Sequence, residues 1–266
     1  MSDIVQEDFW SANPCGSDGD FQEKAQQRDS MEHWIRGLLR EVAATHQDVL
    51  EVGCGQGIEA YHTCSYLNSG CSYTGIDYSE ASIRTANGMR DQAKQALSLN
   101  VDPMFMRADA LNLPFTNDSF DGIYSVGVLH HTPDPARAVA EIHRVLQPDG
   151  TAYVALYRKF SPKVGIAKAL RFVQAAGDKI LGTERIIYKS LERRLYSRSL
   201  GTLFMECFGV PYMYWYSREG ITELFRDFEI LNISPYGYNL PHIRPTGDGR
   251  TANGYFWLIK AKKTGN

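Results

Sequence analysis

Apolar and polar positions along the chain fall into two alternating rhythms. Over 22–45, Met31, Trp34, Ile35, Leu38 and Leu39 recur at three-to-four spacing, which predicts a helix with one buried face. The short apolar run 48–52 that follows reads as a strand and ends in glycines. Further helices are predicted over 58–67, over 79–97 behind a Ser with a following Glu, and over 135–146 with Ala138, Val139, Ile142 and Val145 inward. Strands are predicted over 72–76, 103–107, 120–126 and 150–156. Farther on, 164–176 and 185–195 read as helices. The runs 228–234 and 254–260 read as strands separated by a Pro/Gly-rich loop, a pair that can join antiparallel at a sheet edge.

Strands alternating with long helices imply a parallel sheet covered on both faces, and right-handed crossovers make it doubly wound. The predicted fold class is therefore α/β, with seven strands, mostly parallel and the last antiparallel. The chain divides into an N-terminal arm and helix (1–45), a core (46–157), an inserted helical cap on the substrate side (158–216) and a C-terminal helix and strands that complete the sheet (217–266).

Composition narrows the function classes. The chain has 266 residues and is 43% hydrophobic, which is enough apolar surface to exclude disorder for its bulk. A net charge of -3 argues against a dedicated nucleic-acid binder. The charge is uneven, however. From Ala155 to Leu200 there are 11 Lys/Arg against Asp178, Glu184 and Glu192, so that segment carries +8 and the remainder -11. The first ten residues lack the basic-then-apolar pattern of a secretory signal, and no apolar run reaches the roughly 18 residues of a membrane span. Five cysteines with no CxxC suit free thiols in a reducing cytoplasm, and no metal site is expected.

The candidate chemistry starts at Val49-Leu50-Glu51-Val52-Gly53-Cys54-Gly55-Gln56-Gly57, where the first strand turns into its helix. Glycines let a backbone turn tightly and approach a ligand, and ligands of such sheets bind beyond the carboxyl ends of the strands. A bare strand-to-helix corner would show the same glycines. Two acids at matching strand ends favour a ligand. Asp77, 20 residues after Gly57, can accept hydrogen bonds from both hydroxyls of a ribose. Asp109, after the third strand, stands where it can accept an adenine amine, or else it caps a helix.

These residues carry a family resemblance. The stretch 51–57 resembles motif I of class I S-adenosylmethionine-dependent methyltransferases, and Gly75-Ile76-Asp77-Tyr78-Ser79 resembles their acidic second motif. The runs 108–115, Phe120-Asp121, Val128-Leu129-His130-His131 and 141–150 resemble the subfamily typified by ubiquinone and menaquinone biosynthesis methyltransferases. The match spans roughly 46 to 157, in order and at family spacing. The resemblance implies S-adenosyl-L-methionine as cofactor and S-adenosyl-L-homocysteine as product. It implies that Gly53, Gly55 and Gly57, with Cys54 between them, line the methionine part, and that Glu51 orders the loop. Asp77 would hold the ribose, with Tyr78 near the adenine, Asp109 and Ala110 contacting it, and Ser125 and Val126 passing beneath. Asp149 stands where the family usually has a glycine, and an Asp tolerates a left-handed turn.

Methyl transfer from a sulfonium needs orientation more than catalytic groups, and a base only where the nucleophile must lose a proton. His131, shortly after the fourth strand, is the first candidate for that base, with His130 second; both can instead simply shape the loop. A nicotinamide oxidoreductase of the same fold is the alternative, although its glycines run G-x-G-x-x-G rather than G-x-G-x-G. An inactive methyltransferase-like binding protein is another. The basic, aromatic cap reads as a lid bearing Tyr212, Tyr214 and Tyr216 over a small or medium acceptor, anionic or aromatic, whose attacking atom is O, N or C. Trp10 and Arg28 of the arm are expected to fold over the site. Peripheral contact with an anionic membrane is a second reading of the cap and a solvated helix face a third, and the oligomeric state is open.

Overall fold

The computed structural model describes residues 9–11, 19–182, 208–237 and 249–265. The expected helix over 185–195 and the aromatics 204–207 lie outside the described residues. Seven strands form one sheet in the order β3-β2-β1-β4-β5-β7-β6. They are β1 (Asp48–Val52), β2 (Ser72–Asp77), β3 (Met104–Arg107), β4 (Phe120–Val126), β5 (Leu146–Tyr157), β6 (Glu229–Tyr236) and β7 (Phe256–Lys262). β7 runs antiparallel to both neighbours, β5 and β6, and the other pairings are parallel. The strand order reverses between β1 and β4, so a crevice opens at their carboxyl ends. The last strand does not take the edge. It inserts between β5 and β6, and its more buried register (Phe256, Ile259 and Ala261 are all buried) explains why it occupies the interior position.

Eight helices of the described residues cover the sheet: α1 (Phe21–Glu32), α2 (Ile35–Thr45), α3 (Ile58–Tyr66), α4 (Glu80–Gly88), α5 (Arg90–Ala96), α6 (Pro135–Val145), α7 (Pro162–Leu181) and α8 (Arg218–Leu224). The helix expected over 22–45 is two. Asp20 and Glu23 form a reciprocal capping box at the start of α1, and the chain bends at His33 and Trp34. The bend drives the Trp34 ring against Tyr236, with centroids 5.1 Å apart, and Trp34 Nε1 donates to Glu32 at 2.5 Å. The helix expected over 79–97 is also broken, at Met89, where the weak helix formers Asn87 and Gly88 precede a buried methionine.

Two cores flank the sheet. On one face Leu50, Val52, Ile76 and Ile123 pack with α6 and α8; on the other Val49, Tyr73 and Tyr124 pack with α2 and α3. Residues of β1 alternate between them, as period two requires. Asp149 has φ +65°, so the expected left-handed conformation is present, within the first turn-like residues of β5.

Candidate active site

The glycine turn is held by backbone bonds to β2 and by the acid at the end of β2. Gly53 and Cys54 both donate their N–H to the Ile76 carbonyl at 2.8 Å. Gly55 N–H donates to Asp77 Oδ2 and Ser79 N–H to Asp77 Oδ1, each at 2.9 Å. Asp77 is thus the keystone of the turn, and burial raises its pKa against the pull of those two amides. Each carboxylate oxygen accepts more than one hydrogen bond, so Asp77 keeps capacity for a pair of hydroxyls.

All three glycines have positive φ, and two are needed for different reasons. At Gly53 (φ +84°) a Cβ would lie 2.3 Å from a Val128 methyl. At Gly55 (φ +51°) a Cβ would meet nothing within 4 Å, so the turn faces open space there. That opening, walled by backbone, is the cradle a ligand of motif I requires, and the residues present fit S-adenosylmethionine.

Several predicted residues serve the turn without facing the opening. The Cys54 side chain is buried, and Gly75 lies so close that a Cβ there would come within 3.0 Å of the Cys54 Cβ. Burial, with Glu51 and Asp77 nearby, pushes the thiol well up. Glu51 lies behind β1, where its carboxyl accepts from Tyr124 Oη at 3.0 Å and also from Tyr73 Oη. Burial, reinforced by Glu59, pushes its pKa up to about 8. Ser125 is buried and donates from Oγ to the Val52 carbonyl at 2.8 Å, tying the carboxyl ends of β4 and β1 together. Val126, beyond it, is half-buried and packs with the aromatic core. Asp109 is exposed, and its Oδ1 accepts the Leu111 N–H at 2.9 Å. That is an Asx turn with no helix behind it, so the helix-cap alternative falls. Ala110 packs half-buried beside it, and Tyr78 accepts from Arg107 Nε through its carbonyl at 3.3 Å.

Two histidines that are adjacent in sequence take different places. A 3₁₀ turn, Leu129–His131, follows β4. His130 is completely buried, its ring stacked on Tyr157 with centroids 3.8 Å apart, and neither ring nitrogen has a hydrogen-bond partner among the described residues. Burial holds its pKa well below 6.5, so it is neutral. His130 thus forms a buried wall behind the loop that carries His131. His131 Nδ1 lies 3.0 Å from the Tyr212 carbonyl and its ring 5.5 Å from Trp10. A carbonyl accepts only from N–H, so this contact fixes the tautomer and leaves the lone pair on Nε2.

The cap aromatics divide. Tyr212 meets His131 through its carbonyl. Tyr214 and Tyr216 instead line a cavity of about 530 Å³ between α6 and α8, together with Val139, His143 and Phe228. That cavity's walls include neither the glycine turn nor His130 and His131, although the Tyr214 N–H donates to the His130 carbonyl at 2.9 Å. Trp10 does reach His131, as expected of the arm. Arg28 of α1 is paired with Glu59 of α3 at 2.5 Å, and Lys24, one turn earlier on α1, donates to Gln56 of the turn at 2.6 Å. Pattern alone does not reveal the Lys24 contact, because α1 has no strong apolar stripe to orient it.

The comparisons agree with this geometry. Residues 50–154 match the Methyltransferase domain family. An O-methyltransferase of Aspergillus sclerotiorum, resE, is 33% identical over 132 residues, 48% of this chain and 48% of its own length. A phthiotriol/phenolphthiotriol dimycocerosates methyltransferase of Mycobacterium leprae is 38% identical over 117 residues, 44% of this chain and 40% of its own. The chain spans less than half the length of these relatives. A SAM-dependent methyltransferase from Thermotoga maritima superposes with TM-score 0.56 at 16% identity, covering 97% of this chain and 100% of that one, which shows a shared fold. The residues that build the turn, the acid after β2 and the sheet order thus belong together: residues 50–154 are similar to the Methyltransferase domain family, and the seven-stranded sheet is the fold shared with the Thermotoga maritima enzyme.

Proposed function

We propose that this chain transfers the methyl group of S-adenosylmethionine to a hydroxyl of a small or medium organic acceptor, with His131 as general base. The observation that carries it is the tautomer fixed by the Tyr212 carbonyl: it aims a basic nitrogen on the loop after β4, beside Trp10. The named activity of the Aspergillus relative supports oxygen as the attacking atom. Nothing favours the nicotinamide alternative, since the glycine spacing and the family match both point away from it.

S-Adenosylmethionine bound at the turn supplies an electrophilic methyl on a sulfonium. Asp77 and the amides of Gly55 and Ser79 hold the turn that positions it. Trp10, His131 and Tyr157 supply ring surface on which an acceptor lies and from which water is excluded. His131 Nε2 would take the proton of the acceptor hydroxyl, leaving its oxygen free to receive the methyl that the bound sulfonium would supply, with the thioether as leaving group. The resulting imidazolium stays tethered through Nδ1–H to the Tyr212 carbonyl.

The test is a steady-state comparison of His131→Ala with wild type on a hydroxylated acceptor that the wild type methylates. General base catalysis is worth roughly 10²–10⁴-fold, so kcat is expected to fall by about that factor with S-adenosylhomocysteine affinity unchanged. An unchanged kcat removes His131 from the mechanism.

A further inference from the structure

We propose that α7 is a membrane-docking helix that lays its outer face on an anionic phospholipid surface. The claim goes beyond methyl transfer and rests on that helix alone.

A helix on the outside of a water-soluble protein normally turns charged residues to solvent and apolar ones inward. In α7 the inner face is apolar at Val164 and Ala167, and the outer face is apolar as well. At 100° per residue, Ile166, Ala169, Phe172, Val173, Ala176 and Ile180 share an arc of about 120°. Phe172 is 76% exposed and Ile180 81% exposed. No charged residue of α7 falls within this arc along a helix about 30 Å long. Immediately before the helix, Phe160 is 72% exposed.

The polar residues are on the other side. Gln174 donates from Nε2 to the Phe208 carbonyl at 2.8 Å, and Arg171 donates to the Val210 carbonyl at 3.1 Å. Between them Ala167 packs with Phe9, Phe208 and Val210. The inner face is therefore occupied, and the outer face is apolar with no described residue over it.

Charge selects the occupant. Residues 158–182 contain six Lys/Arg against the single acid Asp178. Lys179 flanks the apolar arc, with Lys159 just ahead of the helix, while Lys163 and Lys168, on opposite flanks, turn their Nζ onto the Tyr255 and Trp215 rings at 4.0 and 4.3 Å. An apolar face bordered by lysines matches the boundary between acyl chains and anionic headgroups. A second copy of the chain fits less well, because a two-fold axis would bring the same basic flanks together. No helix of the described residues is long and apolar enough to cross a membrane, so contact would be confined to the surface.

The place of the helix gives this surface a use. α7 starts just beyond the carboxyl end of β5, and Lys163 Nζ stands 4.0 Å from the Tyr255 ring beside Tyr157. If the proposed reading of the site holds, docking brings the mouth of the acceptor site to the bilayer, where a lipophilic acceptor resides.

The experiment is vesicle flotation of the full chain. It compares phosphatidylcholine vesicles with vesicles carrying 30 mol % phosphatidylglycerol as the probe, an experimental setting on the order of a bacterial or organellar anionic fraction. The wild type is expected to float with anionic vesicles, less so with neutral ones, and to be released by high salt. The double variant Phe172→Glu, Ile180→Glu is expected to lose at least about tenfold in partitioning, and Lys179→Glu about fivefold or more. S-Adenosylhomocysteine affinity and melting temperature, measured without vesicles, report the fold of each variant and the cofactor site separately from docking. Three results overturn the proposal. The wild type does not float while still binding S-adenosylhomocysteine; the double variant floats as well as wild type; or the double variant loses its fold, or converts a dimer to a monomer, which places protein rather than lipid over the face.

Discussion

Replacing Glu51 by Gln is expected to stabilise the protein at neutral and alkaline pH. The carboxyl lies behind β1 in a closed group with Tyr73, Tyr124 and Thr63, where the two phenol oxygens are 3.0 Å apart and Thr63 Oγ1 is 3.0 Å from Tyr124 Oη. Burial first, then the Glu59 charge, lift its pKa from 4.5 to about 8. The folded protein therefore keeps a proton that the unfolded chain releases above its ordinary pKa. The unfolded state binds fewer protons between those values, so stability falls as pH rises through this window and levels off above about 8. At 1.36 kcal/mol per pH unit, the loss is about 1 kcal/mol at pH 5, about 3 at pH 6.5 and about 4 at pH 8. Those are large fractions of a net stability of roughly 5–15 kcal/mol. Gln has the same shape, its carbonyl accepts from the same tyrosines, and it has no proton to lose. Urea denaturation of wild type and E51Q at these three pH values measures the difference directly, because other titrating groups are common to both. The gap is expected to widen with pH by about 3 kcal/mol in all. Parallel stability curves would refute the buried, protonated Glu51.

Other outcomes follow from the same geometry. Gly53→Ala combines a positive φ with a Cβ 2.3 Å from Val128, so thermal unfolding should show a loss of about 2–4 kcal/mol; Val128→Ala in the same chain should recover part of it, and no recovery would show that backbone strain alone is at work. His130→Phe removes two buried nitrogens that have no partner among the described residues and keeps the ring on Tyr157, so stability should stay within about 1 kcal/mol and turnover within a factor of a few, whereas a collapse of turnover would place His130 in the chemistry. Lys24→Met breaks the bond to Gln56 at the turn and should weaken S-adenosylhomocysteine binding severalfold by calorimetry, an effect absent if α1 is only a brace.

The cofactor side was legible because it is local. Motif I is seven consecutive residues, and Asp77 and Asp109 stand at or just after the ends of strands whose period is plain. The buried carboxyl network was partly legible too: β1 alternates, so Glu51 had to share a face with Val49. Tertiary contacts decided what pattern alone did not. The bend at Trp34 exists because that ring has a place beside Tyr236 in β6, two hundred residues on. The insertion of β7 reflects burial on both its flanks, which a short apolar run does not reveal. The acceptor side draws on Trp10, His131, Tyr157 and Tyr212, four distant points of the chain, so spacing carried no signal. Tyr214 and Tyr216, two residues apart, line one cavity, as period two allows, while the Tyr212 carbonyl meets His131.

The central claim is that the crevice at the carboxyl ends of β1 and β2 binds S-adenosylmethionine through the turn that Asp77 holds. Titration calorimetry with S-adenosylhomocysteine and with NADH, on wild type and on Asp77→Ala, tests it most directly. Wild type should bind S-adenosylhomocysteine and give no heat with NADH, and Asp77→Ala, which loses the ribose acceptor and strands the amides of Gly55 and Ser79, should bind at least about thirtyfold more weakly. Binding of NADH in preference, or an affinity for S-adenosylhomocysteine untouched by Asp77→Ala, would contradict it.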